Sequence, residues 1–498
     1  MPQNCIYLQC SEELFEKNSS IAEYEIIENL KTDHKNIQNI ITMHNTTNQM
    51  SRRHFLATTG AIAGTALLNP LSDIKAKTTG ISAPTGKKLR IALVGTGGRG
   101  TSMWGRDILK SYPDYLEFVG LCDKNEGRVE TGKRIIGTSC PTYTDFEKMM
   151  NETKPDVLIV TTMDSTHHQF IIRGMELGAD IITEKPMTTD EKKIQAILDA
   201  EKRTGKTCRV TFNYRYSPHR AKIWELLRAG EIGDITSVDF HWYLDTSHGA
   251  DYFRRWHRLV ECSGSLWVHK ASHHFDLLNW WIDSDPESVY ALGALNHYGK
   301  NGTIRAENCR TCPHTDKCKF FFDITKNKNY MELYVANEKY DGYLRDGCVF
   351  KKDVNIFDKM AATIKYKNGV QVAYSLTTYS PYEGYRIAFN GTKGRLEAWI
   401  QESKPTSDAN YDEIVLFKNF NKRQYIQIRN IRTWRRGCII KRPDIPAQYR
   451  RSVPTVCKYP RRSFGLSGRN RGPQQYSIRT TGKNCRFNFD PTTGKEVV

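Results

Sequence analysis

The chain lacks an apolar run long enough to cross a bilayer. The weakly apolar stretch 55–68 is rich in Gly and Ala and falls short of the ~20 residues a spanning helix needs. Acidic residues are almost missing from one region. Between Arg429 and Asn488 stand sixteen Lys/Arg and a single acid, Asp444, an excess of fifteen that is most of the formal net charge of +18. The bulk of the chain is therefore near charge balance, which argues against a nucleic-acid partner. With 39% hydrophobic and 26% charged residues, the composition is that of a globular enzyme, and 498 residues allow two or three domains.

The 55–68 stretch follows Ser51-Arg52-Arg53-His54. Paired arginines before a short, weakly apolar run are the pattern of a twin-arginine export signal, so residues 50–80 are read as a targeting segment and the mature protein as periplasmic. The alternative is an Ala-rich helix opening a domain. Met50 directly precedes the signal, and residues 1–49 carry no motif. They read as an upstream extension, with Met50 as the initiator.

Lys88-Leu89-Arg90-Ile91-Ala92-Leu93-Val94 reads as a buried strand running into Gly95-Thr96-Gly97-Gly98-Arg99-Gly100, a GxGxxG. The glycines have separate roles. Gly95 allows the tight turn, Gly97 lets the backbone approach a pyrophosphate, and Gly100 permits close helix–strand packing. The following strand, 115–122, ends in Asp123, 23 residues after Gly100. A carboxylate there can accept from ribose hydroxyls and favours NAD over NADP; Lys124 and Arg128 weaken that preference. A plain helix cap is the other reading of Asp123. Further strands, 155–160 and 179–183, alternate with helical patterns and predict a doubly wound parallel sheet, an α/β dinucleotide-binding domain over residues 88–212.

These residues resemble the glucose–fructose oxidoreductase/inositol dehydrogenase (Gfo/Idh/MocA) family over roughly residues 88–400. The marks are the glycine turn, Thr161-Thr162-x-Asp164-x-Thr166-His167-His168, Glu184-Lys185-Pro186, Ile232-Gly233-Asp234-Ile235, His273-His274-Phe275-Asp276 and Asn390-Gly391-Thr392-Lys393-Gly394. The resemblance implies a Rossmann domain followed by an α/β domain over 213–430 with a large open, mainly antiparallel sheet. One face of that sheet would cover the active site and the other would form a homo-oligomer interface. It implies a nicotinamide-dependent oxidoreductase of sugars or polyols. Lys185 would lie beside nicotinamide and substrate, Glu184 near the cofactor, and Thr161, Thr162, Asp164 and His167 on the loop packed against it. Gly95, Gly97, Gly98, Arg99, Gly100, Asp123 and Asn213 complete the expected cofactor set.

Alcohol oxidation needs a base for the hydroxyl proton, a cation for the developing alkoxide, and a carbon held near the nicotinamide. The family pattern runs Asp, His four on, Asp three further. With Asp276 as its last member, His273 is the histidine, and the first aspartate falls on His269, a departure that puts the His–Asp partnership in doubt. His273 is the expected proton acceptor, with Lys185 polarising the substrate and His269 or Lys270 orienting it; His274 is the rival acceptor. Any of these histidines can instead be a satisfied core residue. Aromatic residues beside donors suit a sugar, which brings in Arg215, Arg254, Arg255, His257 and Tyr385 as substrate contacts.

Cys309, Cys312 and Cys318, with Cys348 thirty residues later, lie in an insertion over 300–350. Their spacing fits a structural zinc site and, nearly as well, two disulfides in an oxidising compartment, with free thiols as the remaining alternative. Beyond 430 the apolar periodicity fades, so 431–498 reads as a basic tail or as the product of a frame slip. A redox-neutral, NAD-dependent glycoside hydrolase and a non-catalytic sugar-binding relative stand beside the dehydrogenase as alternatives.

Overall fold

A computed structural model describes residues 88–403, 411–421, 423–429 and four short strand pieces between 479 and 497. The expected targeting segment, the 1–49 extension and the rest of the 431–498 tail lie outside the described residues.

Six parallel strands form the first sheet: β1 (Leu89–Val94), β2 (Leu116–Cys122), β3 (Thr142–Tyr143), β4 (Val157–Val160), β5 (Asp180–Glu184) and β6 (Cys208–Thr211), in the order β3-β2-β1-β4-β5-β6. All four residues of β4 are buried, as a strand covered on both faces requires. The order reverses between β1 and β4, opening a crevice beyond their carboxyl ends. Three of the helices between strands start on side-chain caps: Asn125 accepts from Arg128 N–H, Asp145 from Lys148 N–H and Asp190 from Lys193 N–H.

The second sheet holds β7 (Ile235–Asp245), β8 (Pro286–Ala294), β9 (Lys359–Tyr366), β10 (Gln371–Ser380), β11 (Glu383–Gly391), β12 (Gly394–Ser403), β13 (Tyr411–Lys418) and β14 (Arg423–Arg429). Its order is β14-β13-β12-β11-β7-β10-β9-β8, antiparallel except for the β7–β10 pair. The protein is thus α/β, a Rossmann sheet joined to a large, mainly antiparallel one. Along β9 exposed and buried residues alternate strictly, so one face packs and the other is open. The packed face, with Phe240, Trp242 and Leu376, meets Leu277, Leu278 and Trp281 of the helix Ser272–Ile282. Among the described residues, no helix is long and apolar enough to cross a membrane.

Between β8 and β9 the chain makes a long excursion, residues 295–358. Its entry is fixed by Asp358, a fully buried carboxylate that accepts from the N–H groups of Asn296, His297 and Tyr298 at 2.6–3.0 Å. Asp358→Ala strands three N–H donors; the buried one, of Tyr298, costs about 1–3 kcal/mol, while those of the exposed Asn296 and His297 can turn to water. Urea unfolding of this variant should show a loss of about 1–3 kcal/mol; an unchanged midpoint would contradict this role.

Candidate active site

The glycine turn sits at the carboxyl end of β1. Gly95 has φ +92°, and a Cβ on it would lie 2.7 Å from the Thr161 backbone. At Gly100 a Cβ would lie 2.3 Å from the Gly95 carbonyl oxygen. Only glycine satisfies both positions. Asp123, at the end of β2, is buried; its carboxylate accepts from Thr96 N–H at 2.8 Å and from Asn125 N–H at 3.0 Å. Thr161 closes the turn by donating to Gly95 O at 2.6 Å. These groups border one cleft of about 1560 Å³ that runs from the turn to the second sheet.

Lys185 follows β5 and projects into the same cleft. Its ammonium donates to the His269 carbonyl at 2.7 Å and lies 3.4 Å from His269 Nε2. Burial lowers its pKa to about 8, although Asp164 and Glu184 pull the other way. Glu184 accepts from Arg99 Nε and Trp104 Nε1, both at 2.6 Å. Burial alone would raise its pKa, but Arg99 and Trp104 outweigh it and the carboxylate ends below its ordinary range. His167 is buried with its ring nitrogens 2.9 Å from Pro186 O and 3.1 Å from Thr162 O. It ties the loop after β4 to the loop after β5.

The second lobe meets this edge through His269, whose Nδ1 is 2.5 Å from Asp164 Oδ2. An ammonium has only donors to offer, so Nε2 faces Lys185 as the acceptor and Nδ1–H donates to Asp164. Burial, then Lys185 and Arg255, hold the His269 pKa well below its usual value; burial also raises Asp164, against the pull of Lys185. A His–Asp partnership is therefore present, built from both lobes rather than within one helix.

His273 borders the cleft, stacked on Tyr214 at 3.8 Å, with a buried Nδ1 that has no hydrogen-bond partner. Its pKa too is driven well down by burial and then by Lys185 and Lys270. Lys270 donates to Tyr214 Oη at 2.8 Å and lies 3.7 Å from Glu383. Asn213, Arg255 and His257 also line the cleft; Arg255 is held by Tyr343 and Asp251, and His257 lies under Trp256 at 3.6 Å.

Three expectations are corrected and a fourth, for Arg254, is narrowed. His274 is fully buried in the core, bonded to Tyr374 Oη at 2.7 Å and stacked on Trp242, so it does not rival His273 at the cleft. Tyr385 is fully buried against Trp242, because its position on β11 faces the packed side. Arg215 is clamped by Asp276 through bonds of 2.7 and 2.6 Å and is not a cleft residue. Arg254 reaches the cleft wall, but its guanidinium is taken up by Cys309 Sγ and the carbonyls of Gly347 and Phe320. Arg215→Ala should therefore act on stability, not on substrate affinity: an orphaned buried Asp276 costs roughly 3–5 kcal/mol. A KM change with unchanged thermal stability would refute that.

The cysteines also depart from expectation. Cys309, Cys312, Cys318 and Cys348 are free thiols, and no metal-binding group of His, Cys, Asp or Glu occurs among the described residues. Sulfur spacing along the chain does not fix where the sulfurs point. Here Cys309 Sγ is engaged by Arg254, while the Cys312 and Cys348 sulfurs accept from the N–H groups of His314 and Phe350.

Cleft residues that sequence reasoning missed are Tyr214, Glu383, Tyr334 and Asp341. Tyr214 followed the noted Asn213 and carried a usable signal. Tyr334 and Asp341 carried none: they come from the 295–358 excursion, and Tyr334 Oη accepts the Gly98 N–H at 2.7 Å from 236 residues away.

Comparison with known proteins agrees with this architecture. An oxidoreductase-family model with an NAD-binding Rossmann fold matches residues 89–212, and the C-terminal alpha/beta domain model of that family matches 224–413. YteT of Bacillus subtilis (strain 168), named as an oxidoreductase, is 38% identical over 325 residues, covering 62% of this chain and 76% of YteT. Glycosyl hydrolase family 109 protein 1 of Akkermansia muciniphila is 30% identical over 227 residues, 38% of this chain and 47% of that protein. The fold is shared with levoglucosan dehydrogenase in complex with NADH and levoglucosan (TM-score 0.51, 17% identity, 69% of this chain and 80% of that one).

Proposed function

The chain belongs to the Gfo/Idh/MocA oxidoreductase family, and from that premise we propose that it interconverts a ring hydroxyl and the matching ketone of a sugar or polyol, with a nicotinamide dinucleotide supplying the hydride acceptor or donor. The observation that carries this reading is the meeting of Lys185 and the Asp164–His269 pair in the cleft that begins at the glycine turn.

The residues fit the dinucleotide. Gly95 and Gly100 let the turn close on itself, Gly97, where a Cβ would meet only Tyr334 Oη at 3.6 Å, leaves the backbone open to a pyrophosphate, and Asp123 offers a carboxylate to ribose hydroxyls. Thr161, Thr162, His167, Glu184, Arg99 and Asn213 would wall the remainder. His269, neutral at pH 7, accepts the substrate proton at Nε2, and Asp164 stabilises the imidazolium that forms. Lys185, as the ammonium, stabilises the alkoxide oxygen. His273 and Lys270 then orient neighbouring hydroxyls, against the aromatic wall of Tyr214, Tyr252 and Trp256.

The likeness to a glycosyl hydrolase supports a second reading, redox-neutral glycoside cleavage at the same residues. A panel of sugars, polyols and aryl glycosides separates the two. Net formation of reduced nicotinamide supports the first, aglycone release without it the second, and inertness towards all of them sinks both. The paired arginines at 52–53 support export by the twin-arginine route to the periplasm; Arg52→Lys with Arg53→Lys should leave the protein in the cytoplasm. Exposed Tyr290, Leu292, Trp399 and Tyr425 support a homo-oligomer built on the second sheet.

A further inference from the structure

Residues 334–341 touch the dinucleotide half at three successive places. Tyr334 Oη accepts the Gly98 N–H, and a Cβ built on Gly98 would lie 3.1 Å from that oxygen. Asn337 accepts from Asn125 Nδ2 through its carbonyl at 2.9 Å, and its side chain sits against Gly127, where a Cβ would be 2.0 Å from Oδ1. Asp341 accepts from Arg128 Nη2 at 2.7 Å, while Nη1 of the same guanidinium is 3.4 Å from Asp123. Tyr334 and Tyr343 flank that guanidinium at 5.9 and 5.8 Å.

We infer that the 295–358 excursion is the outer wall of the dinucleotide site, with Tyr334 retaining the pyrophosphate and Asp341 excluding a 2′-phosphate. The inference rests on the proposed dinucleotide chemistry and adds to it two residues outside the Rossmann domain. The Tyr334 oxygen accepts a hydrogen bond from Gly98 N–H, and its own O–H remains to donate to an anion held at the turn. Arg128 stands where an arginine would otherwise welcome a 2′-phosphate. With two carboxylates around it, its charge is more than balanced, and a phosphate dianion would meet Asp123 and Asp341 together. The site therefore reads as NAD-selective and slow to release.

The test uses the full-length protein and two near-isosteric variants, Tyr334→Phe and Asp341→Asn, matched to wild type by thermal melt. NADH release is followed by its fluorescence during displacement with excess NAD, and NAD and NADP affinities by calorimetry. Tyr334→Phe should speed release at least ~10-fold, and Asp341→Asn should narrow the NAD-over-NADP preference at least ~10-fold, about 1.4 kcal/mol each. If wild type binds NAD and both variants match it in release rate and preference, the outer-wall assignment is overturned while the dinucleotide reading stands. If wild type binds neither nucleotide, the reading beneath it fails as well.

Discussion

Lys185→Met is expected to lower kcat by roughly 10²–10³ while nucleotide affinity stays near wild type. The side chain's bonds go to His269, not to the glycine turn, so its loss removes charge at the reacting oxygen without dismantling the cofactor cradle. The sign of the pH dependence follows from the same burial. Because the Lys185 pKa is lowered to about 8, the ammonium is present below that pH and lost as pH rises through it. Wild-type kcat/KM should fall on an alkaline limb near 8. Lys185→Arg, which keeps its charge in that range, should be slower but lack the limb. A Lys185→Met enzyme with near-normal kcat would remove this lysine from the chemistry.

His269→Gln and Asp164→Asn should each cost roughly 10²–10⁴ in kcat, and the double variant little more than the worse single one, because the two act as a unit. His273→Asn should cost less, since His273 has no carboxylate to stabilise its charged form and stacks on Tyr214 instead. With the His269 pKa held well below 6.5, wild type should show no acid limb at the ordinary imidazole pH; the limb should lie lower. Steady-state kinetics of the four variants check this. If His273→Asn proves the more damaging, the proton acceptor is His273.

What the sequence disclosed was mostly local. The glycine turn, the acid after β2 and the buried β4 are set by covalent geometry and by an unbroken apolar run of a few residues, and the motifs carry those signals directly. Strand alternation turns Tyr385 inward, and helical periodicity does the same for His274. Neither pattern says whether inward means core or cleft, and both residues lie in the core. The sequence marks His269 only as a departure from the expected aspartate. Its partner, Asp164, is 105 residues away in the other lobe, and only the fold brings the two together. The excursion is the extreme case. Its cysteines drew attention by their spacing, whereas the contacts that matter to the cleft are made by Tyr334 and Asp341, ordinary residues within no motif.

Denaturing release of nucleotide from the native full-length protein, with identification by mass spectrometry and calorimetric titration of any empty fraction, tests the central claim most directly. One NAD or NADH site per chain is expected, occupied or fillable, and weakened by Asp123→Ala. A chain that carries no dinucleotide and takes up neither NAD nor NADP at millimolar concentration would contradict that claim.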